Sequence, residues 1–333
     1  MRKLCLVCVS MLILLSASDE AFAQFNRSAI KRNNKRIATY RGRKSGFGRD
    51  KIYNMIGVSV SALNYYGDIA PLPKKLSTDI SFTRPAVGIS FAHRFGPRYT
   101  LQAQFMYGSL SGSDTKSATP DGEGQYRYAR NLSFRNRIKE LSVVAYFDLF
   151  ENQSTYISRV PWTPYVYIGL AGFLNNPQAQ APAKDLEGND LPEAGQWVNL
   201  RPLQTEGKSY GLVQVAVPFG IGARIRVNEV LDLWADLGFR YTFTDKIDDV
   251  SGNYVALSSL KNNLARAMAY RTNELPGEPV NGVPSGYNTV LVKPGYGNEG
   301  DKRGTSGNRD IYMVTSIRLT YILGASFHKA KFR

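Results

Sequence analysis

The chain has 333 residues, a formal net charge of +15, and 43% hydrophobic, 12% aromatic and 21% charged residues. Two Cys and two His exclude a disulfide scaffold and a clustered zinc site, and 20 Tyr with 16 Phe exclude a disordered chain. The charge on its own suggests a nucleic acid or an acidic surface as partner.

The first segment reads as a secretory signal peptide over residues 1–23. Arg2 and Lys3 precede an apolar run from Leu4 to Leu15, too short to span a bilayer as a helix, and Ala21-Phe22-Ala23 supplies the small-residue cleavage pattern. Cys5 and Cys8 lie inside this segment rather than after it, so a lipoprotein site is rejected and cleavage removes both thiols. Residues 24–51 form a basic, flexible tail: ten basic residues from Arg27 to Lys51 stand against the one acid Asp50, a net +9. Its RGRKSGFGR run has the composition of an RNA-binding arm. Export argues against nucleic acid and leaves a solvated tail, or attraction to an acidic partner or anionic lipid heads.

No later run of 18 apolar residues exists, so a helical membrane protein is excluded. From residue 54 the chain instead alternates with a period of two, the mark of strands with one apolar face. Eight segments do so. Their apolar faces begin at Ile56, Val87, Tyr99, Leu141, Val166, Val213, Leu231 and Ile317. A soluble sandwich also alternates. A membrane barrel is favoured by the length of the sixth and seventh segments, by aromatics near the ends of the apolar faces (Tyr99 and Tyr107, Tyr241 and Phe243), and by full charges on the opposite faces.

The connections alternate as well. Gly96-Pro97-Arg98, Asn228-Glu229 and the moderate 150–163 stretch alternate with long ones at roughly 67–84, 110–137, 175–211 and 246–310. Outer-membrane barrels have short periplasmic turns and long outer loops. The expected fold is all-β: a transmembrane antiparallel up-and-down barrel of eight strands over residues 52–325, with long extracellular loops, both termini periplasmic, and a short tail at 326–333. The expected location is the cell outer membrane, with its lipids as surroundings.

An eight-stranded interior is just wide enough for side chains. Arg94, Glu140, Asp148, Arg224, Arg226, Asp232, Asp236, Arg240 and Arg318 fall on the inward face and are expected to form a mixed ion-pair network that plugs it. A catalytic or ion-conducting carboxylate cluster is the sharper alternative, weakened by the surplus of Arg. Asp245, Asp248 and Asp249 before Val250-Ser251-Gly252-Asn253 lack an Asp-x-Asp-x-Asp-Gly frame and suit a turn better than Ca²⁺. Leu257, Leu260, Leu264 and Met268 have helical spacing and predict a helix over 256–270 packed on the barrel rim. Tyr126, Arg127, Tyr128 and Arg130, with Phe134, Arg135 and Arg137, suit stacked nucleotides or, equally, a rim rich in Tyr and Arg. His93 and His328 have no nucleophile motif beside them, and no phosphate-binding loop is found. No cofactor, metal site or enzyme activity is implied.

Several stretches carry a family resemblance: SALNYYGDIAP, RNLSFRNRIKELS, TPYVYIGLAGFLNNPQA, WVNLRPLQTEG, PFGIGARIRVN and GFRYTFTDKIDDVSGNYV. In this order, over roughly residues 52–325, the chain resembles the PorG-like outer-membrane barrels associated with the type IX secretion system. The resemblance implies an anchor that ties a periplasmic ring, made of a lipoprotein and a soluble partner, to the outer membrane. It brings no catalytic residues. The competing readings are a small outer-membrane channel, a generic OmpA-like barrel with no secretion role, and a membrane-embedded lipid enzyme. A channel would need a wider register, with 196–200 and 287–292 as extra strands. The lipid enzyme would need a nucleophile–base set that the sequence does not offer.

Overall fold

The computed structural model describes residues 47–48, 51–69, 80–118, 124–275 and 297–323. The 1–23 signal segment, nearly all of the 24–51 tail, the 287–292 candidate strand and the 326–333 tail lie outside the described residues.

Eight strands close on themselves. They are β1 (Tyr53–Tyr66), β2 (Arg84–Arg94), β3 (Tyr99–Ser113), β4 (Ser133–Asp148), β5 (Trp162–Leu174), β8 (Val213–Arg226), β9 (Leu231–Thr242) and β10 (Ile311–Leu323). Each pairs antiparallel with the next, and β1 seals the barrel against β10 from Asn54↔Leu323 to Tyr66↔Ile311. The sheet therefore has no edge within the barrel, as lipid requires, because an unpaired backbone amide has no water to bond there. The strands run 11 to 16 residues, enough for the tilted crossing of about 9–11 residues that a bilayer demands. No helix among the described residues is long and apolar enough to cross a membrane.

The alternation sorts the two faces. Val60, Ile89, Leu170 and Ile317 point outward and are 60–66% exposed, whereas Ser59, Ser142, Asp232 and Arg318 point inward and are buried. A continuous apolar exterior of this kind is untenable in water and natural in lipid. Aromatic side chains edge it at both ends. At the end of the short turns Phe95 and Tyr99 stack at 6.0 Å and Phe150 meets Trp162 at 5.0 Å. At the other end Tyr241 and Phe243 meet at 5.7 Å. The amphipathic rings suit the headgroup level.

Three features differ from the sequence reading. First, β3 and β4 continue as a hairpin beyond the apolar belt, so the long connection between them shrinks from 110–137 to 114–132. Outward alternation of hydrophobicity stops at Lys139 while inward burial continues through Ile138, Asn136 and Phe134. The outward positions leave the lipid there, although the backbone ladder goes on. Second, two short strands join β4 outside the closed barrel: β6 (Pro177–Gln180) pairs with Arg135–Asn136, and β7 (Trp197–Asn199) pairs with β6. The 196–200 segment thus forms a strand without widening the barrel. Third, the 256–270 segment splits into a 3-10 turn at Leu257–Ser259 and a helix at Asn263–Ala269. Asn262 breaks it, because its side chain accepts the Ala265 amide at 2.8 Å as an N-cap. Leu257, Leu260, Leu264 and Met268 still share one apolar cluster with Ala179, Ala181, Leu200 and Leu203, built wholly from the loops.

Candidate functional site

The lumen is filled by layers of side chains. Two apolar clusters occupy it. Tyr53, Met55, Tyr146, Tyr165, Tyr167 and Trp234 lie towards the short-turn end, and Leu63, Met106, Leu110, Phe134, Ile138 and Phe173 towards the long-loop end. The bulky rings fit because three inward positions of β8 and β9, Gly220, Gly222 and Gly238, are glycines. A Cβ on Gly238 would lie 1.8 Å from the Tyr167 hydroxyl, and one on Gly222 would lie 2.5 Å from Tyr165. Small inward residues on β8 and β9 thus receive large ones from β5, the strand that adjoins β8.

Charge pairs are interleaved with these layers. Lowest, Asp148 Oδ2 accepts from Arg94 at 2.6 Å and from Arg224 at 2.5 Å, all three fully or almost fully buried. Beside them Arg159 binds Asp232 Oδ1 through Nε at 2.9 Å and Nη2 at 2.6 Å. Midway, Arg318 donates to Asp236 at 2.9 Å and to the Tyr146 hydroxyl at 3.1 Å, bonds Gln102, and lies 4.9 Å from the Trp234 ring centre. Tyr165 also donates to Asp236. Higher still, Glu140 accepts from Arg240 at 3.2 Å and from the Tyr312 hydroxyl at 2.6 Å.

Eight of the nine sequence-predicted lumen charges are therefore held in ion pairs with a partner in the barrel. Arg226 is the exception. Half-buried at the lower mouth, it donates to the carbonyls of Ile157 and Arg159. Each of the four lumen acids is engaged by at least one guanidinium, an arrangement suited to holding the wall together rather than to shuttling a proton.

Sequence reasoning missed Arg159. It lies in the β4–β5 connection, where no periodicity exists to place it. Its side chain turns back into the barrel mouth and also donates to the carbonyls of Asn228, Glu229 and Leu231 in and beside the neighbouring β8–β9 turn. This connection is thereby tied to its neighbouring turn at the periplasmic mouth. Trp234, Tyr146 and Tyr312 were legible as inward by parity alone, but their role as walls for the guanidinium groups was not.

The outer mouth is closed by the loops. Arg130 forks onto Asp114 through two bonds of 2.8 Å and donates to the carbonyls of Asp68 and Arg303. Arg303 in turn donates to Glu206 at 2.7 Å, and Lys246 pairs with the same carboxylate. Burial works against ionisation of Glu206, yet Arg303 and Lys246 hold its pKa at about 2. Of the three Asp residues that follow β9, Asp248 accepts the amides of Ile69 and Val250, and Asp249 accepts the hydroxyls of Thr205 and Tyr210. Burial and the neighbouring Asp68 push Asp248 up to about 7; burial pushes Asp245 up to about 6. Asp310, fixed by the Tyr65 hydroxyl at 2.7 Å and the Ile247 amide at 2.8 Å, is raised well above the carboxylate range by burial and by Asp248. Among the described residues no group of three or more His, Cys, Asp or Glu is arranged to hold a metal ion. In the Tyr126–Arg137 stretch, Arg130 turns inward to Asp114, Phe134 is buried, and Arg135 faces outward against Trp197.

A closed, edge-free antiparallel barrel with an apolar exterior, aromatic rims, short turns at one end and long loops at the other is an outer-membrane barrel. A family model described as a domain of unknown function, DUF6089, matches residues 47–190. No match is found among curated proteins. Three solved structures are similar at low identity. The attachment invasion locus protein Ail of Yersinia pestis is 7% identical, with 82% of this chain and 99% of that chain covered and a TM-score of 0.35. Neisserial surface protein A is 11% identical, with 80% and 96% covered and a TM-score of 0.35. A major outer membrane protein from Thermus thermophilus is 14% identical, with 81% and 99% covered and a TM-score of 0.37. The assignment as a barrel rests on this chain's own strand ladder and outward face.

Proposed function

We propose that this protein is a structural component of a protein secretion machine, the type IX system, which anchors or helps assemble a periplasmic ring of a lipoprotein and a soluble partner at the outer membrane. The observation that carries this reading is the lumen. Ion pairs and aromatic rings fill it, and Arg159 binds the lower connection to the neighbouring β8–β9 turn at its periplasmic mouth. A barrel filled in this way works through its two ends rather than through its bore. The resemblance to PorG-like barrels implies the periplasmic end as the working one, and the basic 24–51 segment precedes the strand that starts there. A structural rather than a catalytic role follows from lumen acids that are each committed to an Arg.

Affinity isolation of the tagged protein from solubilised membranes is expected to recover two periplasmic ring proteins, and a deletion strain is expected to lose secretion of the system's cargo. Recovery of neither ring protein, together with normal secretion in the deletion strain, overturns the proposal and leaves a generic outer-membrane barrel.

A further inference from the structure

Among the eight barrel strands, only β4 presents charged side chains on its outward face. Arg94, Glu140, Asp148, Arg224, Arg226, Asp232, Asp236, Arg240 and Arg318 all take inward positions, and Arg84 pairs with inward Leu63 at the rim. The outward exceptions are Arg135, Arg137 and Lys139, three consecutive outward positions on one strand. Alternate residues of a strand are about 6.5–7 Å apart, so the three cations form a column of about 13 Å.

The column starts where the apolar belt ends. Lys139 is paired across the ladder with Tyr107 of the outer aromatic rim, and the next outward residue below it is Leu141, 63% exposed. Ser109 stands opposite Arg137 and Ser111 opposite Arg135 on β3, and Leu174 stands opposite Lys139 on β5. Neither neighbouring strand brings a carboxylate to this face, and among the described residues none of the three cations has an ion pair. Arg135 is held in place by Gln178, whose Oε1 accepts from it at 3.0 Å, and by the Trp197 ring, whose centre lies 3.8 Å from the guanidinium. A surface charged only for solubility would mix signs and spread around the circumference. Here one sign is stacked on one strand, at the level where lipid headgroups lie.

We propose that this column is a binding site for a phosphorylated glycolipid of the outer leaflet, with the phosphates on Arg137 and Lys139 and acyl chains running down over Leu141 and Val143. Arg grips phosphate through paired N–H bonds and Lys as a point charge. A phospholipid carries its phosphate at one depth. Cations at successive depths over about 13 Å fit a headgroup that carries charge at more than one level above the acyl chains. This site is independent of the secretion reading.

The test is native mass spectrometry of the full chain in detergent, titrated with diphosphorylated lipid A, with dephosphorylated lipid A and with phosphatidylglycerol. The variants R137Q and K139Q and their combination leave the lumen untouched. Retained heat-resistant migration in electrophoresis identifies folded protein, and the single variants serve if the double variant does not fold. The expected result is that lipid A binds the wild type at least tenfold more tightly than the double variant. The dephosphorylated form should bind the wild type only at the variant's level, phosphatidylglycerol should bind more weakly than lipid A, and high salt should weaken the wild type alone. Equal binding of lipid A to wild type and variants, or equal binding of the dephosphorylated form, overturns the site. Phosphatidylglycerol binding as tightly as lipid A overturns its assignment to a glycolipid.

Discussion

Asp148 holds Arg94 and Arg224 on a single carboxylate oxygen, in a part of the lumen where all three side chains are essentially closed to solvent. Removing its charge while keeping its shape strands two buried cations. Asp148→Asn is therefore expected to cost about 3–5 kcal/mol, the range for breaking a buried pair by removing one partner. Urea unfolding of the refolded barrel reads this as a lowered midpoint, and an unchanged midpoint would show that the triad contributes nothing. Gly238 offers a steric counterpart. Gly238→Ala places a methyl group against the Tyr167 hydroxyl and is expected to cost about 1–3 kcal/mol, as overpacking does. Tyr167→Phe removes the nearest atom, so the double variant should recover part of that loss, a coupling that a double-mutant cycle measures. Additive losses would sink the packing account. At this scale the charged lumen residues were legible, because parity in a strand is a property of the sequence. Arg159 was not, because the path of a loop decides where its guanidinium ends.

At the scale of elements, the described parts of the β5–β8 and β9–β10 connections form a cap with a core of its own. Met268, Leu260, Leu200 and Leu203 supply its apolar interior without any contribution from the barrel wall. Met268→Asp should open the cap and leave the barrel standing, since the strand ladder does not depend on that cluster. Limited proteolysis is expected to cut within 175–211 and 246–310 in the variant while a resistant barrel fragment persists; loss of the whole fold would refute the separation. The cap's acids add a pH dependence. A carboxyl with a higher pKa in the folded than in the unfolded state keeps its proton longer when folded, so stability falls as pH rises between the two values. Asp245 and Asp248 span from about 4 unfolded to about 6 and about 7 folded. The contribution is intact below about pH 4 and lost above about pH 7. Glu206, held at about 2, acts in the opposite sense, but its contribution disappears only in strong acid. Hydrogen exchange at residues 245–251 and 303–310, corrected for intrinsic rate, should show about tenfold or more faster opening at pH 8 than at pH 5. Asp248→Asn should flatten the difference, and slower opening at high pH would contradict the assignment. The sequence showed where these loops lie and that 257–268 is apolar at helical spacing. It did not show the Asn262 cap that divides the segment, since a capping side chain competes with helix continuation only once the flanking chain is anchored.

At the scale of the molecule, the eight-strand closure and the filled lumen bear on transport. Ion pairs at three levels, aromatic rings between them and tied connections at both mouths leave no continuous aqueous path through the described lumen. Purified protein in planar bilayers is expected to give no steady single-channel conductance, whereas discrete, long-lived openings would favour the channel reading. The exterior carries a second whole-molecule property, the confinement of outward charge to one strand. It makes the barrel wall asymmetric towards the lipid around it.

The sequence by itself determined the strand faces, the alternation of short and long connections, and the identity of the inward charges. A period of two maps each residue to lipid or lumen before any fold is known. Tertiary structure alone decided which Arg meets which acid, because partners such as Arg318 and Asp236 or Arg240 and Glu140 lie far apart in the chain and meet only when the sheet closes at a fixed register. It also decided that the β3–β4 ladder continues past the lipid. Backbone hydrogen bonds and inward packing hold those residues as strand, while their outward side chains no longer show the apolar pattern by which a membrane strand is read.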